Sequence, residues 1–122
     1  MATSCFRTMQ KMNFSYDPEH DDLFIWNPLE KSHGAIELGD FVVDFNARKD
    51  LVGLQIFHVL EWAEMLSSTS PQSLLSSLQE VFIHVVRRNG YLMLCLELLC
   101  EKEDLKSVLC IPDIKETQVV LL

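Results

Sequence analysis

The stretch from Met12 to Leu66 constrains the fold most, because its apolar residues alternate with polar ones along four short segments. Alternation with a period of two sends successive side chains to opposite faces of a β-sheet. The segments are also rich in aromatic and β-branched residues, which favour strands. We therefore predict four strands, at Met12–Asp17, Leu23–Asn27, Ile36–Asn46 and Leu51–His58.

The breaks between these segments have the composition of turns. The acidic stretch Asp17–Asp22 contains Pro18, whose fixed φ suits a turn, and aspartates that can hydrogen-bond to their own backbone. The polar loop Asn46–Asp50 has the length of a hairpin connection, so the strands on either side of it are predicted to be antiparallel neighbours. Gly53 interrupts the last strand and predicts a β-bulge or a close backbone approach.

Two apolar rows from the third and fourth segments are predicted to face a common core. They are Phe41, Val43 and Phe45 on one strand and Val52, Leu54 and Ile56 on the other. After His58 the spacing of apolar residues becomes helical, which predicts one short helix that docks Leu60 and Trp62 against a face of the sheet.

The polar run Ser67–Ser73 is predicted to be a linker. It contains Ser70-Pro71, a typical helix start with Ser at the N-cap and Pro at the first helical position. The leucines that follow have helical spacing and predict a second short helix over Gln72–Gln79.

The segments Glu80–Arg88 and Tyr91–Cys100 are joined by Asn89-Gly90, which predicts a hairpin with a two-residue type I′ turn. Both strands are apolar on both faces, so they are expected to be covered on both sides, either within the chain or by a second subunit. A single helix over Gln72–Glu101 is the rival interpretation. The turn dipeptide and the β-branched residues argue against it.

Two further strands are predicted at Leu105–Ile111 and Thr117–Leu122. The second is expected to pair as an edge strand or to enter a partner, because an uncovered apolar edge promotes association. The candidate interface residues are Val119, Val120, Leu121 and Leu122.

These patterns predict an α+β fold that is mainly β, with antiparallel sheet of about seven or eight strands and one or two short helices in the middle of the chain. The 122 residues have the size of one domain. We predict a flexible extension over residues 1–11 and a single domain over 12–122. Within the domain, a β-rich half at 12–66 is separated by the linker at 67–73 from a hairpin-rich half at 74–122.

Motifs in the first half are similar to those of a known family. They are Tyr16-Asp17-Pro18-Glu19, Asp22-Leu23-Phe24-Ile25, Gly39-Asp40-Phe41-Val42-Val43-Asp44-Phe45 and Leu51-Val52-Gly53-Leu54-Gln55-Ile56. In this order they resemble the domain-of-unknown-function family 2283, over about Met12 to Leu66. Phe24 and Gln55 depart from its pattern, which often has Tyr and Glu there. The resemblance implies a small β-rich intracellular domain of bacterial or archaeal type, sometimes encoded beside a toxin-like partner, with no established catalytic residues.

The charge balance limits the classes of partner. Ten basic residues stand against eighteen acidic ones, for a net charge of −8. Nucleic acid is therefore not expected as a partner, because binding it requires clustered Lys and Arg. No apolar run is long enough for a membrane helix, and no secretory apolar block is present near the start, so we predict a soluble cytoplasmic protein without membrane contact.

Candidate chemistry is sparse. The four histidines and four cysteines show neither Cys-x-x-Cys nor His-x-x-x-His spacing, so no structural zinc site and no cofactor is predicted. The weak metal candidates are Asp17, Glu19, Asp21 and Asp22 of the acidic turn, since hard cations accept carboxylate oxygens. His58 and His84 are the histidines on predicted strands, and His58 is a weak candidate base. No nucleophile or phosphate-binding motif is present, and we assign no catalytic residue.

Two functional hypotheses follow. The first is a non-catalytic protein-interaction or self-association domain, whose partner is a second copy of the chain in a homodimer or a small basic protein. It includes an antitoxin-like role, which rests on the family resemblance. The alternative is a small hydrolase or metal-dependent enzyme that uses the acidic turn 17–22 or His58.

Overall fold

A computed structural model of the protein describes residues 9–67 and 70–112. It confirms the predicted class, because the described residues form one antiparallel sheet of eight strands with two short helices in the middle of the chain. The strands are β1 Gln10–Asp17, β2 Asp22–Trp26, β3 Gly34–Leu38, β4 Phe41–Phe45, β5 Leu51–Phe57, β6 Leu78–Arg88, β7 Tyr91–Cys100 and β8 Asp104–Pro112. The helices, α1 Val59–Leu66 and α2 Pro71–Ser76, lie between β5 and β6.

The strand order across the sheet is β3-β4-β5-β2-β1-β6-β7-β8. After the β1–β2 hairpin, β5 returns to pair with β2, so the β3–β4 hairpin lies at one edge of the sheet. The other side of β1 pairs with β6 and joins the second meander, β6–β7–β8. In the described residues β1 begins at Gln10, two residues before the predicted strand start at Met12.

The third predicted strand, Ile36–Asn46, is wrong as a single element, because the structure divides it into the hairpin β3–β4. Gly39 in the turn has a φ of 63°, which glycine adopts without steric cost. The described residues therefore place five strands before the helices and three after them. The predicted strand Thr117–Leu122, with the candidate interface residues Val119, Val120, Leu121 and Leu122, lies outside the described residues.

The predicted β6–β7 hairpin is confirmed, with Arg88 paired to Tyr91 across Asn89-Gly90. Its predicted turn type is wrong. A type I′ turn needs positive φ at both central residues, and only Gly90 of this pair has it.

The rival prediction of a single helix over Gln72–Glu101 is wrong as well. Helix α2 is shorter than predicted, since it ends at Ser76 and Leu78 already belongs to β6.

The predicted hairpin of β4 and β5 is confirmed, and its register explains why a glycine stands at position 53. The register shifts at a β-bulge between Asp44 and Phe45, so Phe45 pairs with Leu51. An unshifted register would pair Phe45 with Val52. Leu51 therefore packs against the core beside Phe45, at the position predicted for Val52. A Cβ atom on Gly53 would lie 2.9 Å from Asp44 Oδ2 and 3.2 Å from the carbonyl oxygen of Ile25. The predicted close approach at Gly53 is therefore present.

One continuous apolar core includes the inward rows of both meanders and both helices. In α1 the predicted docking residue Trp62 is buried, and its ring meets Phe41 edge to face at 6.4 Å between centroids. Leu60 is only half-buried. Within residues 9–67 and 70–112, neither helix has the length and apolarity needed to cross a membrane.

Candidate functional site

The acidic turn between β1 and β2 is organised by Asp17. Its Oδ1 accepts hydrogen bonds from the backbone N–H groups of Glu19, at 3.0 Å, and His20, at 3.3 Å. This is the local side-chain-to-backbone bonding that the sequence predicts for an aspartate before a proline. The turn therefore has a fixed shape that comes from its own residues.

His20 and Asp17 form a surface pair. The Nδ1 of His20 lies 2.7 Å from Asp17 Oδ2, and this hydrogen bond raises the pKa of His20 and lowers the pKa of Asp17. Both side chains are substantially exposed, so water screens their attraction. His20 is not among the residues predicted as metal ligands, although its spacing of three residues from Asp17 is a usable signal.

Three of the residues in this turn bring possible metal ligands together. Single ligand atoms of Asp17, Glu19 and His20 all lie within 4.8 Å of one another. Of the four predicted metal candidates, Asp17 and Glu19 therefore belong to this group. Asp22 pairs with Asp17 and with Phe57 at the start of β2.

Asp21 has a structural role at the start of α1. Its backbone adopts a φ of 57°, and its Oδ1 accepts a hydrogen bond from the N–H of Leu60 at 3.1 Å. Its carbonyl oxygen accepts a second one from Val59 at 3.2 Å. These N–H groups are among those that a helix leaves unpaired at its first turn, so Asp21 caps α1 from a distant turn.

His58 lies between β5 and α1, and its prediction as a strand residue is wrong. It is the N-cap of α1, with left-handed backbone angles of 55° and 44°. Its Nδ1 lies 3.1 Å from Asp40 Oδ1, and this hydrogen bond raises the pKa of His58. The charges of Glu61 and Asp21 raise that pKa further. The pair is exposed, at 67% for the histidine and 56% for the aspartate.

The turn Asp17–Asp22, Asp40 and His58 lie together at one end of β1–β5, and we call this region the acidic surface. Three cavities among the described residues are lined without His20 or His58. Catalysis by a histidine base requires a bound substrate within hydrogen-bond reach. The second predicted histidine, His84, lies on β6 as expected, half-buried and outside this acidic surface.

An apolar cleft lies where the curled sheet brings its two edges towards each other. Its volume is about 220 Å³, and we call it the edge cleft. It is lined by Leu38 of β3, Phe41 and Val43 of β4, Leu54 of β5, Leu94 of β7 and residues 109–112 of β8. The edge cleft could not be predicted from the sequence, because β3 and β8 are the two outermost strands of the sheet and approach each other only where the sheet curls.

Comparison with known proteins gives no activity. No family model matches the chain. No solved structure matches it either. The chain is similar to an uncharacterized protein of Methanocaldococcus jannaschii, with 33% identity over 48 residues. The matched part covers 39% of this chain and 41% of the relative, so the chain spans less than half the length of the curated protein it matches. The resemblance to family 2283 stays a prediction.

Proposed function

We propose that this chain is a non-catalytic protein-interaction domain that binds an extended apolar segment in the edge cleft. The observation that carries the proposal is the location of the cleft between the two outermost strands of the sheet. Among the described strands, β3 pairs only with β4 and β8 pairs only with β7. Each therefore presents an outer edge to the same apolar opening.

The edges and the cleft supply two kinds of contact to one ligand. The outer edge of a strand presents backbone N–H and C=O groups that a further strand can pair with. Binding by strand addition uses these hydrogen bonds for affinity and uses pockets for alternate side chains for specificity. In the edge cleft, Leu38 and Leu109 are the apolar side chains that such alternate residues would contact.

Two partners fit this surface within one class of function. A second copy of the chain offers edge strands of its own, which makes a homodimer possible through the same cleft. A small basic protein is favoured by the net charge of −8, since opposite charge speeds association. In the second case the chain is antitoxin-like, an acidic protein that masks a basic one, and this version draws on the resemblance to family 2283.

The test compares two neighbouring residues of β8. Leu109 lines the edge cleft, whereas Val108 is 42% exposed on the other face of the strand. We expect Leu109→Lys to abolish a dimer, or a complex with a basic protein, that the wild type and Val108→Lys both retain. Sedimentation velocity measures the dimer, and native mass spectrometry of protein purified from its native host measures the complex. A wild-type protein that stays monomeric and unbound, or a complex that survives Leu109→Lys, contradicts the proposal.

A metal-dependent or hydrolytic function is the second candidate, because Asp17, Glu19 and His20 bring their ligand atoms within 4.8 Å. A divalent ion there must displace the proton that His20 shares with Asp17, since a histidine nitrogen binds metal only when it is unprotonated. Such a site is therefore expected to strengthen as the pH rises.

Broadening of backbone NMR signals by Mn²⁺ tests this candidate. Saturable broadening centred on the acidic turn, lost in Asp17→Asn and kept in Asp50→Asn, supports a metal site. A screen for hydrolysis with His58→Ala tests the histidine separately. The second candidate is rejected by two results together. One is Mn²⁺ broadening that is spread over the protein and is the same in Asp17→Asn and Asp50→Asn, and the other is the absence of any hydrolysis that depends on His58.

A further inference from the structure

One row of side chains crosses the face of the sheet that points away from the core. The register aligns Trp26 of β2 with Gly53 of β5, and Gly53 with Asp44 of β4. Their sequence neighbours Ile25, Leu54 and Val43 are buried, so alternation places this row on the outer face. Asn13 and Ala35 continue the row on either side, on β1 and β3.

Gly53 leaves room for the carboxylate of Asp44 on the strand that separates Asp44 from Trp26. The Cβ position of Gly53 lies 2.9 Å from Asp44 Oδ2 and 3.3 Å from Asp44 Cβ. The Asp44 side chain thus covers space that any larger residue at position 53 would need. Strands are about 4.8 Å apart, which puts the backbones of Asp44 and Trp26 about 10 Å apart with the glycine between them.

Asp44 is a carboxylate with no side-chain partner in residues 9–67 and 70–112. Among the described residues it forms no hydrogen bond or ion pair, and burial raises the pKa of its carboxyl group. A half-buried carboxylate without a partner is unfavourable, because it has lost water without gaining a donor. A cation supplied from outside would relieve this.

Trp26 lies on the same outer face as Asp44, on the other side of Gly53. It is 40% exposed although β2 lies in the interior of the sheet, between β5 and β1. A tryptophan opposite a glycine commonly covers the glycine. That covering role does not account for an unpaired carboxylate on the other side of the same glycine. An indole face and a carboxylate together are the groups that attract an organic cation.

We propose that Trp26 and Asp44, on either side of Gly53, bind the guanidinium group of an arginine from a partner protein. The planar guanidinium stacks on the indole ring and donates hydrogen bonds to the carboxylate, which the compact ammonium of lysine does less well. The excess of eighteen acidic over ten basic residues favours a basic protein as the source. This site goes beyond the proposed function, since it lies on the sheet face opposite the core and uses no residue of the edge cleft.

The experiment titrates the full chain with a short peptide that contains one arginine, and with the same peptide carrying neutral citrulline instead. The readout is the NMR shift of the Trp26 indole N–H and of the Gly53 amide. We expect saturable shifts at these two signals with the arginine peptide and none with the citrulline peptide. A lysine peptide should bind several-fold more weakly.

Two variants with the same change in net charge separate a site from general attraction. Asp44→Asn should weaken arginine binding about tenfold, whereas Glu37→Gln, on the same outer face of neighbouring β3, should leave it unchanged. Trp26→Leu keeps an apolar cover over Gly53 and should also weaken binding, as followed at the Gly53 amide. Equal shifts with citrulline, or equal losses in Asp44→Asn and Glu37→Gln, overturn the proposal. Loss of the Leu109-dependent complex leaves this result untouched, so the two proposals fail independently.

Discussion

Two residues with left-handed backbone angles shape the end of the sheet where α1 begins. Asp21 and His58 have φ values of 57° and 55°, which are uncommon for residues other than glycine. In this conformation each residue forms a hydrogen bond with a residue that is distant in sequence. Asp21 caps the first turn of α1, and His58 pairs with Asp40 in the β3–β4 turn. The acidic surface is therefore assembled from three separate turns.

The first prediction concerns the pKa of His58. Asp40→Asn removes the carboxylate that raises it, so the pKa should fall towards the ordinary value of about 6.5. The pKa of His20, which depends on Asp17, should stay unchanged in this variant and serves as the internal control. NMR titration of the histidine ring protons measures both. A His58 pKa that does not move would show that the 3.1 Å contact with Asp40 is absent in solution.

The same pair sets a dependence of stability on pH. Because folding raises the pKa of His58, the pair stabilises the folded state fully below the unfolded pKa of about 6.5. This contribution is lost as the pH rises through the higher folded pKa. The difference in unfolding free energy between the wild type and Asp40→Asn should therefore be largest in mild acid and vanish in alkali. Urea denaturation at several pH values measures it.

Only the local part of this surface was predictable from sequence. The turn at Asp17–Asp22 forms its own hydrogen bonds, so Pro18 and the aspartates were sufficient to predict it. His58 was misassigned because the alternation of β5 runs directly into it. Its partner Asp40 is eighteen residues away in sequence, and their contact depends on the pairing of β4 with β5. Pattern within one segment carries no information on such a contact.

Among the elements, the β3–β4 hairpin depends most clearly on one residue. Gly39 has a φ of 63°, and a Cβ atom there would meet nothing within 4 Å. Any effect of adding a side chain must therefore come from the backbone conformation alone. The other glycine of this hairpin, Gly34, also has open space around it, and its φ is not in the left-handed region.

The third prediction uses this matched pair, Gly39 and Gly34. Gly39→Ala should lower the free energy of unfolding by about 1–2 kcal/mol, since alanine is strained at positive φ. Gly34→Ala should leave it unchanged or raise it by up to about 1 kcal/mol, because alanine restricts the unfolded chain. Chemical denaturation of both variants measures the difference. Equal effects at the two positions would contradict a positive φ at Gly39.

The other elements show which patterns are reliable. The strands on either side of Asn46–Asp50 and of Asn89-Gly90 pair as predicted, because a short polar turn leaves few alternatives to an antiparallel hairpin. Ile36–Asn46 was read as one strand because apolar residues flank Gly39 on both sides. Turn type was also not fixed by composition, since Asn89 keeps an ordinary φ although Asn-Gly favours a type I′ turn.

The whole molecule is held together by a short junction in its sheet and by a shared core. In the described part of the chain, β1 and β6 pair only between Gln10–Met12 and Val81–Ile83. The core is nevertheless continuous, because the inward rows of β2, β4 and β5 pack with those of β6, β7 and β8. The sequence indicated two β-rich halves but gave no sign of this strand order, and the edge cleft is a product of that order.

The last prediction is that the two halves unfold as one unit. Leu96 of β7 is fully buried, so Leu96→Ala should cost about 2–5 kcal/mol. Both tryptophans, Trp26 in β2 and Trp62 in α1, lie in the other half, and their fluorescence should still report this loss because the core is shared. The control Leu29→Ala, at a side chain that is 89% exposed, should change stability by less than about 0.5 kcal/mol. The contradicting outcome is a fluorescence midpoint of Leu96→Ala that stays at the wild-type value while the amides of β7 exchange faster. The two halves would then unfold independently. Strand addition at the edge cleft would in that case join two separate units instead of extending one sheet.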